Sequence, residues 1–348
     1  MSLNIAIEKH SGGASMKRFI SSIFFLLIFA VQSGQGFAQG KDLTRIKVTY
    51  SAMSAASLVT WVAKDAGIYQ KHGLDVGLVY ISGGSMAMAT TIAGDTQFTQ
   101  GVGSGSILAK LSGADTVMLA SVLDTINQSL MVVPEIRSAQ DLRGKRLGVT
   151  RYGALTDFGT RRYLQTVGLD PEKDVRIMQI GGLPEILAAM QAGAIQGGAI
   201  SSPTLTRAKL LGYRELIDLG TLGVKYPATS YMTTEAYIKS NRQTVSQFLK
   251  AIVEAAHFIK ANKDAAINVL RKYTKTNEMP ILEDTYQIYV QRYIRLTPTS
   301  SPEEVKTVLD QIKDKDPRAR TTDYDSFIRG DLLREIEQSG FIKSLTKG

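Results

Sequence analysis

Residues 73–106 show the pattern of a β-strand, a helix and a second strand joined by glycine-rich turns. Apolar and polar positions alternate over 75–81, which predicts a strand, whereas the mainly apolar segment 86–93 is typical of a helix. A second short strand is predicted over 96–100 and runs into another glycine-serine turn. Both turns connect a strand to a helix N-terminus, and in an open α/β sheet small ligands bind at that edge.

A weaker version of the same pattern occupies residues 168–203. A strand is predicted over 175–180, an apolar helix over 184–192 and a second strand over 197–200. Two similar units predict two similar lobes with a ligand site in the cleft between them. The alternative is chance similarity, because every α/β protein repeats the order strand, turn, helix.

The remaining pattern places both ends of the chain in one lobe. Further strands are predicted over 45–50, 116–121, 129–133, 146–149 and 216–219. From residue 234 onward the pattern is helical, with an apolar stripe over 245–259 and helices over 263–273, 282–294, 302–313 and 323–339. Residues 226–231 are predicted to be a return crossing. We therefore expect lobe 1 to comprise 39–131 and 225–348, lobe 2 to comprise 132–224, and the two crossings to form a hinge.

The N-terminus has the features of a secretory signal. A basic Met16-Lys17-Arg18 precedes an apolar run over 23–31, and small residues around Ala38 suit a signal peptidase. The run is shorter than the ~20 apolar residues of a membrane-spanning helix, which disfavours the alternative of a membrane anchor. We expect residues 1–38 to be the signal peptide, with cleavage after Ala38 and a periplasmic mature protein. Residues 1–15 fit a segment upstream of a true start at Met16.

Composition excludes several classes of function. Hydrophobic residues make up 44% and charged residues 21% of the 348 residues, as in ordinary globular proteins. The net charge is +9, yet the basic residues are interspersed with carboxylates, so we expect no nucleic-acid partner. The chain has no cysteine, which excludes disulfides, thiolate metal sites, cysteine nucleophiles and a lipidated cysteine anchor. We expect a monomer.

Four segments carry a resemblance to a known family. The segment at 63–76, AKDAGIYQKHGLDV, is similar to the pattern A-x-x-x-G-x-[FY]-x-x-x-G-L-x-V. The Ala-Gly-Asp step at 93–95, the segment DLRGKRLGV at 141–149 and the segment EIEQSGFI at 335–342 follow in the expected order. Together they resemble periplasmic solute-binding proteins of the nitrate/sulfonate/taurine type, which share their fold with thiamine-pyrimidine-precursor binders and synthases.

The resemblance implies an α/β protein with the two-lobed type II periplasmic-binding-protein fold, a hinge and a ligand cleft. It also implies a receptor that captures a small anionic or polar organic solute and delivers it to the inner-membrane permease of an ABC transporter. No enzyme activity, cofactor or metal is implied. The related pyrimidine-precursor synthases depend on a cysteine-rich segment, a histidine and a lysine, and the absence of cysteine argues against such an enzyme.

Carried over by position, the resemblance implies five ligand-facing turns, whose residues are Ser51, Ala52, Ser54, Gly83, Gly84, Ser85, Gly103, Ser104, Tyr152, Gly153, Ala154, Leu155, Ser201 and Ser202. Amides at helix N-termini supply hydrogen-bond donors and partial positive charge, and glycine allows a ligand to approach the backbone closely. The alternative is that these glycines only make turns. Removal of the Ser85 and Ser104 hydroxyls together is expected to weaken binding.

Aromatic and histidine residues add candidates and an alternative. Tyr152, Tyr50 and Trp61 are candidates for stacking on the organic part of a ligand, although Trp61 shares an apolar helical face. His72 is expected at the surface and His257 at the edge of the core, with no metal-ligand spacing between them. The chain has no G-x-S-x-G elbow, and its GVGSGS turn lacks the Walker lysine, which disfavours catalysis. A ligand-sensing protein without transport stays open.

Overall fold

The computed structural model describes residues 42–346. The predicted signal peptide, its cleavage point and the alternative start at Met16 lie outside the described residues. Between residues 42 and 346, no helix combines the length and the apolar composition needed to cross a membrane.

The first sheet contains strands from both ends of the described chain. Its five strands are β1 (Thr44–Tyr50), β2 (Leu74–Tyr80), β3 (Phe98–Gly101), β4 (Thr116–Thr125) and β10 (Lys225–Thr234), in the spatial order β2-β1-β3-β10-β4. β1 pairs in parallel with β2 and β3, whereas β10 runs antiparallel to β3 and β4. The segment expected to be a return crossing, 226–231, is thus paired within this sheet.

The second sheet repeats this plan. Its strands are β5 (Ser129–Val132), β6 (Arg146–Val149), β7 (Arg176–Gln179), β8 (Gly197–Ile200) and β9 (Arg214–Asp218), in the order β7-β6-β8-β5-β9. β6 pairs in parallel with β7 and β8, and β5 runs antiparallel to β8 and β9. Each sheet therefore has three parallel strands, one antiparallel strand beside them and one edge strand beyond it.

The helices cover the two sheets. They are α1 (Leu58–Asp65), α2 (Ile68–Lys71), α3 (Gly84–Ile92), α4 (Ser104–Leu111), α5 (Leu155–Thr166), α6 (Leu183–Gln191), α7 (Thr204–Leu210), α8 (Glu235–Ala261), α9 (Lys263–Thr274), α10 (Met279–Ile288), α11 (Pro302–Asp310), α12 (Gly330–Gln338) and α13 (Phe341–Ser344). Sequence signals explain several helix starts: Thr234 caps α8, and Ser301 with Glu304 forms a capping box on α11.

Two predicted helices differ from the structure. The segment 323–339 contains a short 3₁₀ turn, Tyr324–Phe327, before α12 begins at Gly330. Ile328 between them is extended and forms a bridge with Met118 of β4, and the Arg329 amide donates to the Met118 carbonyl over 2.8 Å. Pairing with the sheet edge thus interrupts the helix. α10 is followed by a π-helical turn, Tyr289–Tyr293.

The long helix α8 and the aromatic residues around it form the centre of the first lobe. Phe248 of α8 is fully buried and stacks on Phe98 with ring centroids 3.9 Å apart. Trp61 is also fully buried, and its ring stacks on Tyr273 at 4.8 Å. The apolar helical face shared by Trp61 therefore faces the core, since buried aromatic side chains contribute a large apolar area.

Candidate functional site

A cavity of about 230 Å³ lies between the two sheets. The turns that follow six parallel strands, β1, β2 and β3 of one sheet and β6, β7 and β8 of the other, all reach its wall. Its remaining wall comes from Asn127 and Gln128, in the crossing from β4 to β5, and from Ala228 and Thr229 of β10. The cavity therefore lies at the carboxyl edges of both sheets, where α/β proteins bind small ligands.

Six of the sequence-predicted site residues line this cavity. They are Ser51, Ala52, Ser54, Gly83, Leu155 and Ser201. The Ser57 hydroxyl stabilises the turn after β1: its Oγ lies 2.8 Å from the Ala52 carbonyl and 3.0 Å from Gln100 Oε1, and its single proton is donated to one of these two acceptors at a time. Ser54 caps the 3₁₀ turn Ala55–Ser57 by accepting from the Ala56 amide.

The other eight predicted residues lie beside the cavity and not in its wall. In the first lobe, Gly84 packs on Val102, the exposed Ser85 follows it in α3, and Gly103 donates to the Pro227 carbonyl over 2.8 Å. Ser104 is 6% exposed at the start of α4. These positions result from packing between neighbouring turns, which local sequence patterns do not encode.

In the second lobe, Tyr152 is 59% exposed, and its hydroxyl donates to the Ile177 carbonyl over 3.2 Å. Tyr152 and Gly153 line a separate, outer groove between α5 and the end of α11, and Ala154 precedes α5. The buried Ser202 hydroxyl pairs with Thr206 Oγ1 at 3.1 Å. Among residues 42–346, Tyr80 is the one aromatic residue in the cavity wall, and its ring contacts Tyr50 with centroids 5.4 Å apart.

Arg151 is a cavity residue that was not among the sequence candidates. Its Cδ and Nε atoms lie 2.7 Å from the position that a Cβ on Gly83 would occupy. Gly83 belongs to the opposite lobe and has a φ of +93°, which favours glycine. The Arg151 side chain therefore extends across the cleft and contacts the backbone of Gly83. Its sequence signal is a basic residue two positions after the predicted strand 146–149.

Arg151 has no carboxylate partner among the described residues, unlike Arg143 and Arg161 of the same lobe. Arg143 pairs with Asp174, and Arg161 pairs with Asp157 over 2.7 Å. No ion pair within residues 42–346 involves Arg151, although its side chain lines the cavity. A guanidinium in this position can form two parallel hydrogen bonds to a carboxylate, sulfonate or phosphonate.

A buried network of polar side chains supports the cavity beside the first crossing. Asn127 Nδ2 donates to the Tyr289 hydroxyl over 2.8 Å, and Gln128 Nε2 donates to Asn127 Oδ1 over 3.0 Å. Burial raises the pKa of Tyr289, while hydrogen bonds with Ser201, Asn127 and Ser54 oppose the rise. Tyr289 thus connects Ser54 of the first lobe and Ser201 of the second lobe with Asn127 in the crossing between them. Because its pKa is raised, its side chain is a neutral phenol near neutral pH.

The described residues show no site for a metal. Within residues 42–346, no group of three histidine, aspartate or glutamate side chains comes together as a metal ion would require. His72 is not part of the cavity wall, and its Nε2 pairs with Glu254 Oε2 at 2.8 Å. Its side chain is only 12% exposed, less than expected for a surface residue, because α8 packs beside it.

Comparison with known proteins decides the family. The model of the family described as NMT1/THI5-like matches residues 55–266, which is more than half of the chain. The chain belongs to this family. The YtlA protein of Bacillus subtilis is 24% identical over 281 residues, covering 79% of this chain and 81% of YtlA. The resemblance found in the sequence is thereby confirmed.

Solved structures establish the fold. The alkanesulfonate-binding protein SsuA from Xanthomonas axonopodis, bound to MOPS, matches this chain with a TM-score of 0.68 at 17% identity. The match covers 81% of this chain and 96% of the SsuA chain. The nitrate-binding protein NrtA from Synechocystis has a TM-score of 0.71 at 14% identity, with coverages of 86% and 89%. The predicted two-lobed α/β fold of periplasmic binding proteins is therefore confirmed.

Proposed function

We propose that this protein is the extracytoplasmic receptor of an ABC importer and captures a small organic anion by closure of its two lobes. One observation carries the proposal: Arg151 lies in the cavity against Gly83 of the opposite lobe and has no carboxylate partner in the described chain. An anion bound there contacts both lobes at once. Differential affinity for the closed form is what drives closure in a hinged receptor.

The neighbouring backbone suits the same ligand. The α5 helix has twelve residues and begins at Leu155 in the cavity wall, and α3 begins beside Gly83. Both helix starts present amide donors and a partial positive charge. The Ser51 and Ser201 hydroxyls, also in the wall, provide further donors to an anionic oxygen. These residues are the ligand contacts that we propose.

The family supports this assignment. SsuA is a sulfonate-binding protein and NrtA is a nitrate-binding protein, as their names state. By analogy, we assign this chain a periplasmic location, a permease partner in the inner membrane, no enzyme activity and a monomeric state. A ligand-sensing role would use the same cavity. Tyr80 in the wall also makes a neutral heterocycle a reasonable competitor to be screened.

The experiment is a ligand screen on the protein starting at Gln39. Thermal-shift measurements with small sulfonates, carboxylates, phosphonates and neutral heterocycles identify binders, and calorimetry gives their affinities. Arg151→Ala should weaken binding of the anionic ligand by about 10- to 150-fold, the value of a hydrogen bond to a charged group. The matched control is Arg162→Ala, which removes an exposed arginine of α5 that lies outside the cavity wall.

The outcomes separate the alternatives. Weak binding by the Arg151 variant and unchanged binding by the Arg162 variant would support the anion site. Tight binding of neutral heterocycles alone, with no effect of Arg151→Ala, would contradict capture of an anion. Binding without any change in small-angle scattering would contradict closure of the lobes.

A further inference from the structure

The cavity contains a carboxylate as well as a guanidinium. Glu185 lies in the first turn of α6 and lines the same cavity as Arg151. Neither side chain takes part in an ion pair within residues 42–346, so the two groups do not neutralise each other directly. The cavity wall therefore presents one positive and one negative group to a solute.

Local structure explains the position of the Glu185 side chain. Its carboxylate folds back over Gly182, the residue before α6, and any Cβ at Gly182 would collide with it. Glu185 is the third residue of the helix, where the helix dipole favours a negative charge. The glycine thus accommodates the carboxylate at the helix N-terminus.

The same geometry removes α6 as a binding site for an anion. Pro184 is the second residue of the helix and has no amide N–H to donate. The Glu185 carboxylate already lies at this helix N-terminus, and its charge repels a second anion. The first turn of α5 also carries an acidic residue, Asp157, but this carboxylate is paired with Arg161 and lies outside the cavity wall. The start of α6 therefore presents an unpaired carboxylate to the cavity, whereas α5 begins beside Arg151.

We propose that the solute is dipolar, with its anionic group at Arg151 and an amino group or other N–H donor at Glu185. This inference rests on the proposed function and narrows its substrate class. Glu185 is then a specificity-determining residue, because it favours amino-substituted anions over anions that lack a donor. A cavity of about 230 Å³ restricts the solute to a small molecule.

The test uses three matched pairs of probes that share an anionic group and differ by one amino group. They are ethanesulfonate and 2-aminoethanesulfonate, propionate and 3-aminopropionate, and ethylphosphonate and 2-aminoethylphosphonate. Calorimetry on the protein starting at Gln39 should show that the amino member of at least one pair binds at least 10-fold more tightly. Glu185→Gln should reduce that preference to about one, without weakening binding of the member that lacks the amino group.

The control variant is Glu337→Gln, which removes the same charge from an exposed position of α12 outside the cavity wall. It should leave the preference unchanged. Equal or tighter binding of the amino-free members, or a preference that survives in Glu185→Gln, would overturn the dipolar assignment and leave the receptor function intact. Failure of every member of all three pairs to bind would overturn the inference together with the proposed capture of small organic anions.

Discussion

Glu304 provides a stability prediction that needs no ligand. Its side chain is fully buried under β4 and β10, where Oε2 accepts from the Ser301 amide over 2.9 Å and from the Ser121 hydroxyl over 3.1 Å. Oε1 has no hydrogen-bond partner among the described residues. Burial raises the pKa of Glu304 from 4.5 to about 7, the nearby Asp124 adds to the rise, and hydrogen bonds from Ser301 and Ser121 oppose it.

The sign of the pH dependence follows from the raised pKa. The folded state holds the Glu304 proton more tightly than the unfolded state, so its stabilising effect is complete below about pH 4.5 and is lost as pH rises through 7. Each pKa unit corresponds to about 1.4 kcal/mol, so the folded protein loses roughly 3 kcal/mol of unfolding free energy across this range. Glu304→Gln keeps a neutral side chain of the same shape and should lack this loss.

The assay is urea denaturation of the wild-type protein and variants at pH 5 and pH 8. The difference in unfolding free energy between wild type and Glu304→Gln should change by about 2.5 kcal/mol between the two pH values, with the variant gaining relative stability at pH 8. Glu303→Gln changes the exposed neighbour on the same helix and should show no such change. Equal pH dependence in wild type and Glu304→Gln would refute the argument that Glu304 is protonated in the folded protein.

Two further predictions concern Gly83 and His72. Gly83→Ala and Gly153→Ala each place a side chain at a positive φ, and each should lower the unfolding free energy by about 1–3 kcal/mol. The Cβ of Gly83→Ala also lies 2.7 Å from Arg151, but the end of this flexible side chain can move aside, so a much larger loss for Gly83→Ala than for Gly153→Ala in urea denaturation would contradict this reasoning. Burial lowers the pKa of His72 below 6.5 although Glu254 opposes the change, so wild type should lose stability as pH falls below 6.5. His72→Gln should lack that loss in urea denaturation, and a loss as large as that of wild type would contradict the assignment.

The two sheets could be predicted from sequence as far as local patterns determine them. The strands around residues 75–81 and 146–149 and the helix 86–93 follow from periodicity within a few residues. Pairing of β10 between β3 and β4 depends on residues more than a hundred positions apart, and the sequence showed only a crossing there. Likewise, the bridge from Ile328 to Met118 breaks a segment with a good helical pattern.

The site was predictable at the level of turns but not of side chains. The turns that follow parallel strands must meet at one sheet edge, and this rule led to the prediction of Gly83 and Ser201, which line the cavity. Tyr152 belongs to such a turn, yet its ring lies along β7 because its hydroxyl bonds Ile177. Asn127 and Gln128 lie in a crossing without periodicity, so no local signal marked them.

The two sheets share one strand order, but the sides of the cavity that they form differ in charge. Matching turns of both lobes reach the wall, but Arg151 and Glu185 both come from the second lobe, and the first lobe opposes Arg151 with the bare backbone of Gly83. A backbone without a side chain allows close approach by a cation or by a ligand that the cation holds. An anion between Arg151 and Gly83 would therefore replace the direct contact of these two residues, which already joins the lobes. Ligand capture and lobe closure would then both depend on the Arg151 guanidinium and the Gly83 backbone.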